Sequence, residues 1–202
     1  MAAQIVLATR NRKKLDELHR ILDAEGMDVE ILSLDEFPDA PEVAETESSF
    51  AGNALLKARA IAEATGLPAV ADDSGLCVDA LNGMPGVLSA RWAGGHGDDA
   101  ANLDLVLAQI ADVPDRRRGA SFQCAAAIAL PDGTERVVEG EITGSLLRER
   151  RGENGFGYDP IFVPIAHQVT TAEMTATEKD SISHRGRAMR ALAPVLRDLL
   201  GL

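Results

Sequence analysis

The sequence predicts an α/β protein with a mixed central β-sheet and flanking helices. Short apolar runs alternate with segments of helical periodicity along the 202 residues, which is typical of parallel strands joined by helices. Two strand-like runs within 120–147, separated by Pro131-Asp132-Gly133, predict a hairpin and therefore an antiparallel pair in the same sheet. The sequence has no internal repeat and no low-complexity linker, so we expect a single domain over residues 1–202.

The N-terminal third predicts a strand, a helix, a long loop and a second helix. Residues 4–8 form a short apolar run, and leucine and isoleucine then recur at helical spacing through 13–26, where a glycine ends the pattern. The polar, proline-marked stretch 33–49 is typical of a loop. Helical periodicity returns over 49–66 and again ends at a glycine.

The middle of the chain predicts a strand, a turn, a second strand and a third helix. Within 68–81, an apolar run leads into Asp72-Asp73-Ser74-Gly75, a typical turn sequence, and then into another short apolar run. Residues 83–97 are rich in glycine and predict a loop. Residues 98–113 have the periodicity of an amphipathic helix.

The C-terminal segment predicts one more helix. Apolar residues recur at helical spacing over 183–200. Ser183 stands where an N-cap is expected. Pro194 lies inside the pattern, and we expect it to kink the helix because it lacks a backbone N–H.

Charge and composition exclude several classes of function. The net charge of -12 argues against a broad surface for nucleic acid or membrane, so we expect neither partner. No apolar run approaches the roughly 20 residues that span a bilayer, and the N-terminus does not resemble a signal peptide, so we expect a cytoplasmic protein. Cys77 and Cys124 have no metal-site spacing and predict buried thiols.

The turn after the first strand is a candidate phosphate site. It carries hydroxyl, amide and cationic side chains at Thr9, Arg10, Asn11, Arg12, Lys13 and Lys14. Unpaired N–H groups at the start of a helix favour an anion, and phosphate is the natural ligand. The alternative is a solvated basic first turn. A polyphosphate bound near carboxylates in so acidic a protein needs a divalent cation to reduce the repulsion.

Asp72 and Asp73 are candidate catalytic acids. They follow a buried-looking run, at what we expect to be the carboxyl end of a strand, and successive side chains of a strand point to opposite sides. One carboxylate is suited to bind Mg²⁺ and the other to orient or deprotonate a water molecule. The alternative is an ordinary turn. Glu45 and Glu47 offer a further ligand or are simply solvated.

The window 155–162 concentrates three of the few aromatic residues of the chain. Glycines on both sides of Phe156 allow close approach to a flat ligand, and an aromatic ring stacks on a nucleobase. Asp159 is placed to accept a hydrogen bond from the base. The alternative is that Tyr158 and Phe162 anchor the loop to the core, which we favour for Phe162.

These motifs together resemble the inosine triphosphate pyrophosphatase family, which hydrolyses non-canonical purine nucleotides. The matching blocks cover residues 5 to 190 in the family's order: LATRNRKKLDEL, ETESSFAGNALLKAR, ADDSGLCVDALNGMPGVLSARWAG, GFGYDPIF and EKDSISHRGRAM. The resemblance implies two lobes around an active-site cleft, a homodimer, and Mg²⁺-dependent hydrolysis of ITP, dITP and XTP to the monophosphate and pyrophosphate. Such a protein removes these nucleotides from the pool before they enter DNA or RNA.

The resemblance also implies a role for each site residue. The 9–14 turn and Lys57 would bind the triphosphate. Asp73 would be the proton acceptor, supported by Asp72, and Glu45 and Asp73 would bind the metal. The remaining substrate contacts, largely to the base, would be Ser74, Phe156, Gly157, Tyr158, Asp159, Lys179, His184 and Arg185.

Specificity and two departures from the family follow from the same residues. Arg185, Lys179 or the backbone would donate to the 6-oxo group of the base, so we expect ATP to be a poor substrate. Arg10 replaces a common glycine, and we expect an ordinary φ and an outward side chain. Asn154 also replaces a glycine and tolerates a left-handed conformation.

Two other functions compete with a purine nucleotide pyrophosphatase. Maf-type nucleotide pyrophosphatases are related, but the SHRGRA block and the GFGYDP loop argue against them. A nucleotide-binding regulator without catalysis has no need for the acid at position 73.

Overall fold

The computed structural model describes residues 3–202, apart from the side chain of Lys13. Within this range the chain forms six strands and five α-helices, joined by short 3₁₀ turns. The strands are β1 Ala3–Leu7, β2 Val29–Ser33, β3 Ala69–Val78, β4 Gly119–Ala129, β5 Glu135–Leu146 and β6 Phe162–Pro164. The helices are α1 Arg12–Ala24, α2 Phe50–Thr65, α3 Asp99–Gln109, α4 Ala176–Ile182 and α5 His184–Leu200.

The strands form one mixed sheet, in the order β2-β1-β3-β4-β5-β6. β1 pairs in parallel with β2 and with β3, whereas β5 and β6 pair antiparallel. β4 and β5 are the two neighbouring strands on either side of the predicted Pro131-Asp132-Gly133 turn. The predicted fold class, a mixed sheet with flanking helices, is therefore confirmed.

The first two helices begin and end for reasons that are visible in the sequence. Gly26, just after α1, has a φ of 65°, which glycine adopts without strain. Ser49 caps α2 by accepting a hydrogen bond from the N–H of Gly52 at 3.1 Å. Gly66 ends α2 in the left-handed conformation with a φ of 67°. Both helical predictions are confirmed within a residue or two.

The predicted turn at 72–75 is wrong. β3 runs without interruption through Asp72, Asp73, Ser74 and Gly75 to Val78. The local sequence favours a turn, but β3 lies between β1 and β4 in the sheet, and pairing on both sides outweighs that preference. The two aspartates therefore lie in the middle of a strand. They still lie just beyond the carboxyl end of β1, because the last residues of β1 pair with Ala69 and Val70.

Three short elements had no prediction. They are the strands β2 and β6 at the two edges of the sheet, and the helix α4. Thr175 caps α4 through a capping box with Glu178. Ser183, predicted to cap the last helix, ends α4 and directly precedes α5. The last helix continues through Pro194 to Leu200.

The described chain divides into two compact units, which we call the first and second units. The first contains residues up to Asp73, Cys124–Gly140 and Arg185–Leu202, and the second contains Ser74–Gln123 and Glu141–His184. The expectation of a single domain over 1–202 stays a prediction. Within 3–202, no helix combines the length and the apolar composition required to cross a membrane.

Each unit has its own apolar core. In the first unit, α1 and α5 pack against Ile5, Leu7 and Val70, and α2 packs against the residues that alternate with them, such as Val6 and Ala69. In the second unit, Leu103 and Val106 of α3 share a core with strand residues, namely Phe122 of β4, Ile142 of β5 and Phe162 of β6.

The two cysteines are both free thiols. Cys124 is buried as predicted, whereas Cys77 is only half-buried. Burial raises the pKa of both thiols, that of Cys77 to about 11. Neither thiol is therefore activated for chemistry.

Candidate functional site

The turn between β1 and α1 presents polar groups at the start of a helix. The N–H of Asn11 donates to the hydroxyl of Thr9 at 3.1 Å, which fixes the turn. Arg10, Asn11 and Arg12 are exposed. As predicted, Arg10 is not among the described non-glycine residues of positive φ. The side chain of Lys13, also proposed for phosphate, lies outside the described part of the chain.

Lys14 points towards the sheet and begins a buried chain of alternating charges. Its Nζ lies 2.9 Å from Oδ2 of Asp72. The Nε of Arg185, on α5, lies 3.2 Å from the same oxygen. The Nη1 of Arg185 in turn donates to Oε2 of Glu17 at 2.8 Å. Asp72, Arg185 and Glu17 are each at most 5% exposed, so all three depend on one another for neutralisation.

These cations set the ionisation of Asp72. Burial alone would raise the pKa of Asp72, but Lys14 and Arg185 outweigh it and hold the pKa well below the usual range. Burial likewise opposes the charge of Arg185, and Asp72 and Glu17 raise its pKa above the usual value. Asp72 is thus a permanent anion and a poor proton acceptor.

Asp73 faces the opposite side of β3, as the alternation of a strand predicts. Its Oδ2 accepts a hydrogen bond from the side-chain amide of Asn53, on α2, at 3.0 Å. Its Oδ1 lies 3.4 Å from the Nζ of Lys57, one turn further along the same helix. The same Nζ is 3.1 Å from Oε1 of Glu45.

The pKa of Asp73 moves in the other direction. Burial raises it, and the charge of Glu45 adds to the rise, against the opposing effects of Lys57 and Asn53. Burial would lower the pKa of Lys57, but Asp73, Asp72 and Glu45 raise it above its usual value. Asp73 is therefore the better proton acceptor of the two aspartates.

Glu45 and Asp73 fit part of the coordination shell of a divalent metal ion. Their carboxylates converge on a single cation, the ammonium group of Lys57. Among residues 3–202, no three His, Cys, Asp or Glu side chains are grouped so that they could hold a metal on their own. Mg²⁺ is commonly bound by one or two carboxylates together with substrate phosphates, and this pair matches that pattern.

In the second unit, glycine geometry shapes the loop around Phe156. Gly155 and Gly157 have φ values of 77° and 61°. A Cβ atom at Gly155 would lie 2.1 Å from Oδ2 of Asp159, so no other residue fits there without a shift. Asn154, predicted to tolerate a left-handed conformation, is not among the described positive-φ residues and instead donates its amide to the carbonyl of Met174 at 3.0 Å.

Asp159 holds this loop together. It is 3% exposed and accepts hydrogen bonds from the N–H of Phe156 and the hydroxyl of Thr171, both at 2.8 Å. The Nζ of Lys179, on α4, lies 2.5 Å from its Oδ2 and 4.9 Å from the centre of the Phe156 ring. The carboxylate that was predicted to accept a hydrogen bond from the base therefore already accepts hydrogen bonds from residues of the second unit.

Tyr158 and His184 face the core of the second unit. The Tyr158 hydroxyl donates to the carbonyl of Ser89 at 2.8 Å, and burial raises its pKa. His184 is 7% exposed and stacks on Phe122, with ring centres 4.8 Å apart and planes inclined by 11°. Phe162 is fully buried, as favoured from the sequence. Ser74 is half-buried on β3.

The structure groups the predicted site residues by unit. The first unit contains Thr9–Lys14, Glu45, Lys57, Asp72, Asp73 and Arg185, and the second contains Ser74, Phe156–Asp159, Lys179 and His184. The sequence grouped Arg185 with Lys179 and His184 at the base. Its guanidinium is instead bound by Asp72 and Glu17, because α5 packs against β3, the strand that carries Asp72.

Sequence reasoning missed Glu17, Asn53 and Thr171. Glu17 lies three residues after Lys14, and Asn53 lies four residues before Lys57, so each shares a helix face with a predicted site residue. That spacing was an available signal for both. Thr171 contacts Asp159 from 12 residues away in an irregular segment, and no pattern in the sequence indicates it.

Comparisons with known proteins cover nearly the whole chain. A model of the Ham1 family matches residues 5–195. A dITP/XTP pyrophosphatase of Streptomyces coelicolor is 63% identical over 198 residues, with 98% of this chain and 99% of that protein covered.

Solved structures of related proteins also match nearly the whole chain. The nucleoside-triphosphatase / dITP/XTP pyrophosphatase of Mycobacterium abscessus is 59% identical, with a TM-score of 0.78 over 96% of this chain and 100% of that one. A HAM1 protein from Coxiella burnetii is 43% identical, with a TM-score of 0.88 over 97% of this chain and 99% of that one.

Proposed function

The chain belongs to the Ham1 family, and we propose on this basis that it hydrolyses ITP, dITP and XTP to the nucleoside monophosphate and pyrophosphate. Its relatives named as dITP/XTP pyrophosphatases align over 98% of its length, a range that includes both groups of site residues. The observation that carries the proposal is the contrast between the two aspartates of β3. Asp72 is a permanent anion, whereas Asp73 is a buried carboxylate with a raised pKa beside a single cation, Lys57.

In this proposal Asp73 is the general base. It takes a proton from the water molecule that attacks the α-phosphorus, and the bond from that phosphorus to the bridging oxygen of pyrophosphate breaks. A raised pKa makes the carboxylate a stronger base, and its contact with Asn53 holds it in one orientation. Lys14 and Lys57 neutralise the charge that develops on the leaving pyrophosphate.

The triphosphate is assigned to the first unit. The exposed donors of the 9–14 turn and the start of α1 bind phosphate oxygens. We propose that Mg²⁺, held by Glu45 and Asp73, supplies charge neutralisation for the triphosphate when it is bound. Asp72 does not take a proton in this scheme, and it orients Lys14 through their 2.9 Å contact.

The base is assigned to the second unit. Phe156 provides the ring for stacking, and its loop conformation depends on Asp159 and Lys179. Lys179 and the loop backbone are the donors we assign to the 6-oxo group. The guanidinium of Arg185 is buried between two carboxylates, whereas the ammonium group of Lys179 contacts one carboxylate and has three N–H donors. An amino group at position 6 would leave such a donor unpaired, at a cost of about 1–3 kcal/mol, so ATP is a poor substrate.

The test is a panel of nucleoside triphosphates incubated with Mg²⁺ and scored for pyrophosphate release. We expect ITP, dITP and XTP to be cleaved well above ATP, and a chelator to abolish the release. A preference for pyrimidine nucleotides would instead indicate a Maf-type activity. Binding without any cleavage would indicate a nucleotide-binding regulator and overturn the proposal.

We further propose that the protein is a homodimer and acts in the cytoplasm, where it removes these nucleotides before polymerases use them. The resemblance to the inosine triphosphate pyrophosphatase family supports the dimer. Sedimentation of the purified protein tests it, and a monomeric mass at all concentrations would contradict it.

A further inference from the structure

Lys57 lies between the two carboxylates that would bind the metal ion. Its Nζ is 3.1 Å from Oε1 of Glu45 and 3.4 Å from Oδ1 of Asp73. The side chains of Lys57, Glu45 and Asp73 are 14%, 21% and 9% exposed, so water screens these contacts only weakly. A single ammonium group therefore neutralises part of the charge of both acids.

α2 holds this arrangement in place. Asn53 lies four residues before Lys57 and donates to Oδ2 of Asp73, so both oxygens of Asp73 contact the same helix. The side-chain oxygen of Asn53 also accepts the N–H of Glu47 at 2.9 Å, which ties the segment after Glu45 to α2. The position of Lys57 between the acids is thus built into the packing of the helix.

We propose that Lys57 occupies the position of the divalent cation in the nucleotide-free protein and leaves it when the metal enters with the substrate. A metal ion and an ammonium group cannot share the two carboxylates without strong repulsion. Once displaced, the ammonium group is available to the triphosphate. This inference rests on the proposed function, because it takes the entering ligand to be a metal–nucleotide complex.

The small number of protein ligands also supports a metal ion that replaces Lys57 when the nucleotide binds, in preference to a metal ion that is bound permanently. Among residues 3–202, no third His, Cys, Asp or Glu completes a metal site with Glu45 and Asp73. Phosphate oxygens of the nucleotide, together with water, provide the remaining ligands, and the phosphates also receive Lys57. The protein alone therefore binds divalent metal weakly, and the nucleotide strengthens that binding.

The experiment is a titration of the full chain with MnCl₂ alone, followed by electron paramagnetic resonance of unbound Mn²⁺. Lys57→Met removes the competing cation and is expected to tighten Mn²⁺ binding by about tenfold or more relative to wild type. Lys57→Arg keeps the charge and is expected to bind Mn²⁺ as weakly as wild type. Arg59→Met is the matched control: it removes the same charge from the same helix, but Arg59 is exposed and pairs with Glu135.

Either of two outcomes decides against the inference. It is overturned if Lys57→Met binds Mn²⁺ no more tightly than wild type, or if Arg59→Met tightens binding equally. Circular dichroism checks that the variants are folded, and Lys57→Gln replaces Lys57→Met if the latter is not. No nucleotide is present, so a failure to release pyrophosphate from ITP would overturn the proposed substrate and leave the metal titration valid.

Discussion

The two faces of β3 carry the same residue in two opposite electrostatic settings. Asp72 and Asp73 are adjacent and almost equally buried, at 4% and 6% exposure. On one face Asp72 meets two cations, Lys14 and Arg185, and its pKa falls. On the other face Asp73 shares one cation with a second acid, and its pKa rises.

This difference shows that the charges of the partners, and not the depth of burial, decide the role of each acid. Burial is the largest influence on both pKa values and raises both. Only the balance of neighbouring charges reverses the result for Asp72. A strand can give two adjacent acids different surroundings, because successive side chains point to opposite faces of the sheet.

The largest effect is expected from Asp73→Asn, which removes the proposed proton acceptor while keeping the shape of the side chain. We expect kcat for ITP to fall by about 10²–10⁴-fold. Initial rates of pyrophosphate release measure the change. The exposed acid Asp23 provides a matched control, and Asp23→Asn is expected to keep wild-type rates. Near-normal turnover of Asp73→Asn with intact metal binding would end the assignment of Asp73 as base.

The next effect concerns the face of Asp72. Arg185→Met leaves Asp72 and Glu17 without their shared partner, and breaking such a buried pair typically costs about 3–5 kcal/mol of unfolding free energy. Urea titration measures the loss. The double variant Glu17→Gln/Arg185→Met is expected to recover part of it, because one uncompensated charge is gone. A loss in Arg185→Met no larger than that of a surface substitution would contradict the role of Arg185 as a structural cation.

A smaller effect is expected in the pH dependence of the unfolding free energy, which should differ between Asp72→Asn and Asp73→Asn. The protein is kept free of metal with a chelator. The lowered pKa of Asp72 contributes stability above the unfolded value of about 3.9 and loses it as the pH falls through the folded pKa. Asp72→Asn should therefore be less stable than wild type at neutral pH, by an amount that shrinks in acid. The raised pKa of Asp73 means that its ionisation costs stability as the pH rises, so Asp73→Asn should gain relative to wild type over that rise.

Unfolding free energies measured from acidic to neutral pH give both slopes. If the stability differences of the two variants from wild type change in the same direction as the pH rises, the contrast between the faces fails.

The smallest effect is expected from Asn53→Ala, which removes a neutral hydrogen-bond partner of Asp73 and of the Glu47 N–H. Leaving these groups unpaired is expected to cost about 1–3 kcal/mol in unfolding free energy, together with a modest fall in kcat. Arg59→Ala, which breaks an exposed ion pair with Glu135, is expected to cost less than about 1 kcal/mol and sets the baseline. Equal losses in the two variants would show that Asn53 has no special role.

Local sequence patterns were sufficient to predict part of the fold and part of the candidate site. The alternation of side chains along a strand predicted that Asp72 and Asp73 face opposite sides, and periodicity with capping residues predicted α1 and α2. The rules failed where partners are distant. The turn expected at Asp72-Asp73-Ser74-Gly75 is a strand because its neighbours in the sheet come from elsewhere in the chain.

The partners of each charged group are equally invisible to local patterns. Arg185 contacts Asp72 across 113 residues and Glu17 across 168. The sequence singled out candidate site residues by the chemistry of their side chains, but it did not show how many hydrogen bonds each one already makes. Asp159 is an example. A carboxylate beside a glycine loop predicts a contact with the ligand, but in the structure this carboxylate accepts hydrogen bonds from Thr171, Lys179 and a backbone N–H.

The short pairing between β1 and β3 has a consequence for how this protein can evolve. Val6 pairs with Ala69 and Leu7 with Val70, and these two pairs set which aspartate faces which helix. An insertion or deletion of one residue within β3 would exchange the two acids, placing Asp73 with the cations and Asp72 with Asn53. Substitutions can accumulate on the surface of this chain, but the length of the segment from Ala69 to Asp73 is expected to stay constant in every functional descendant.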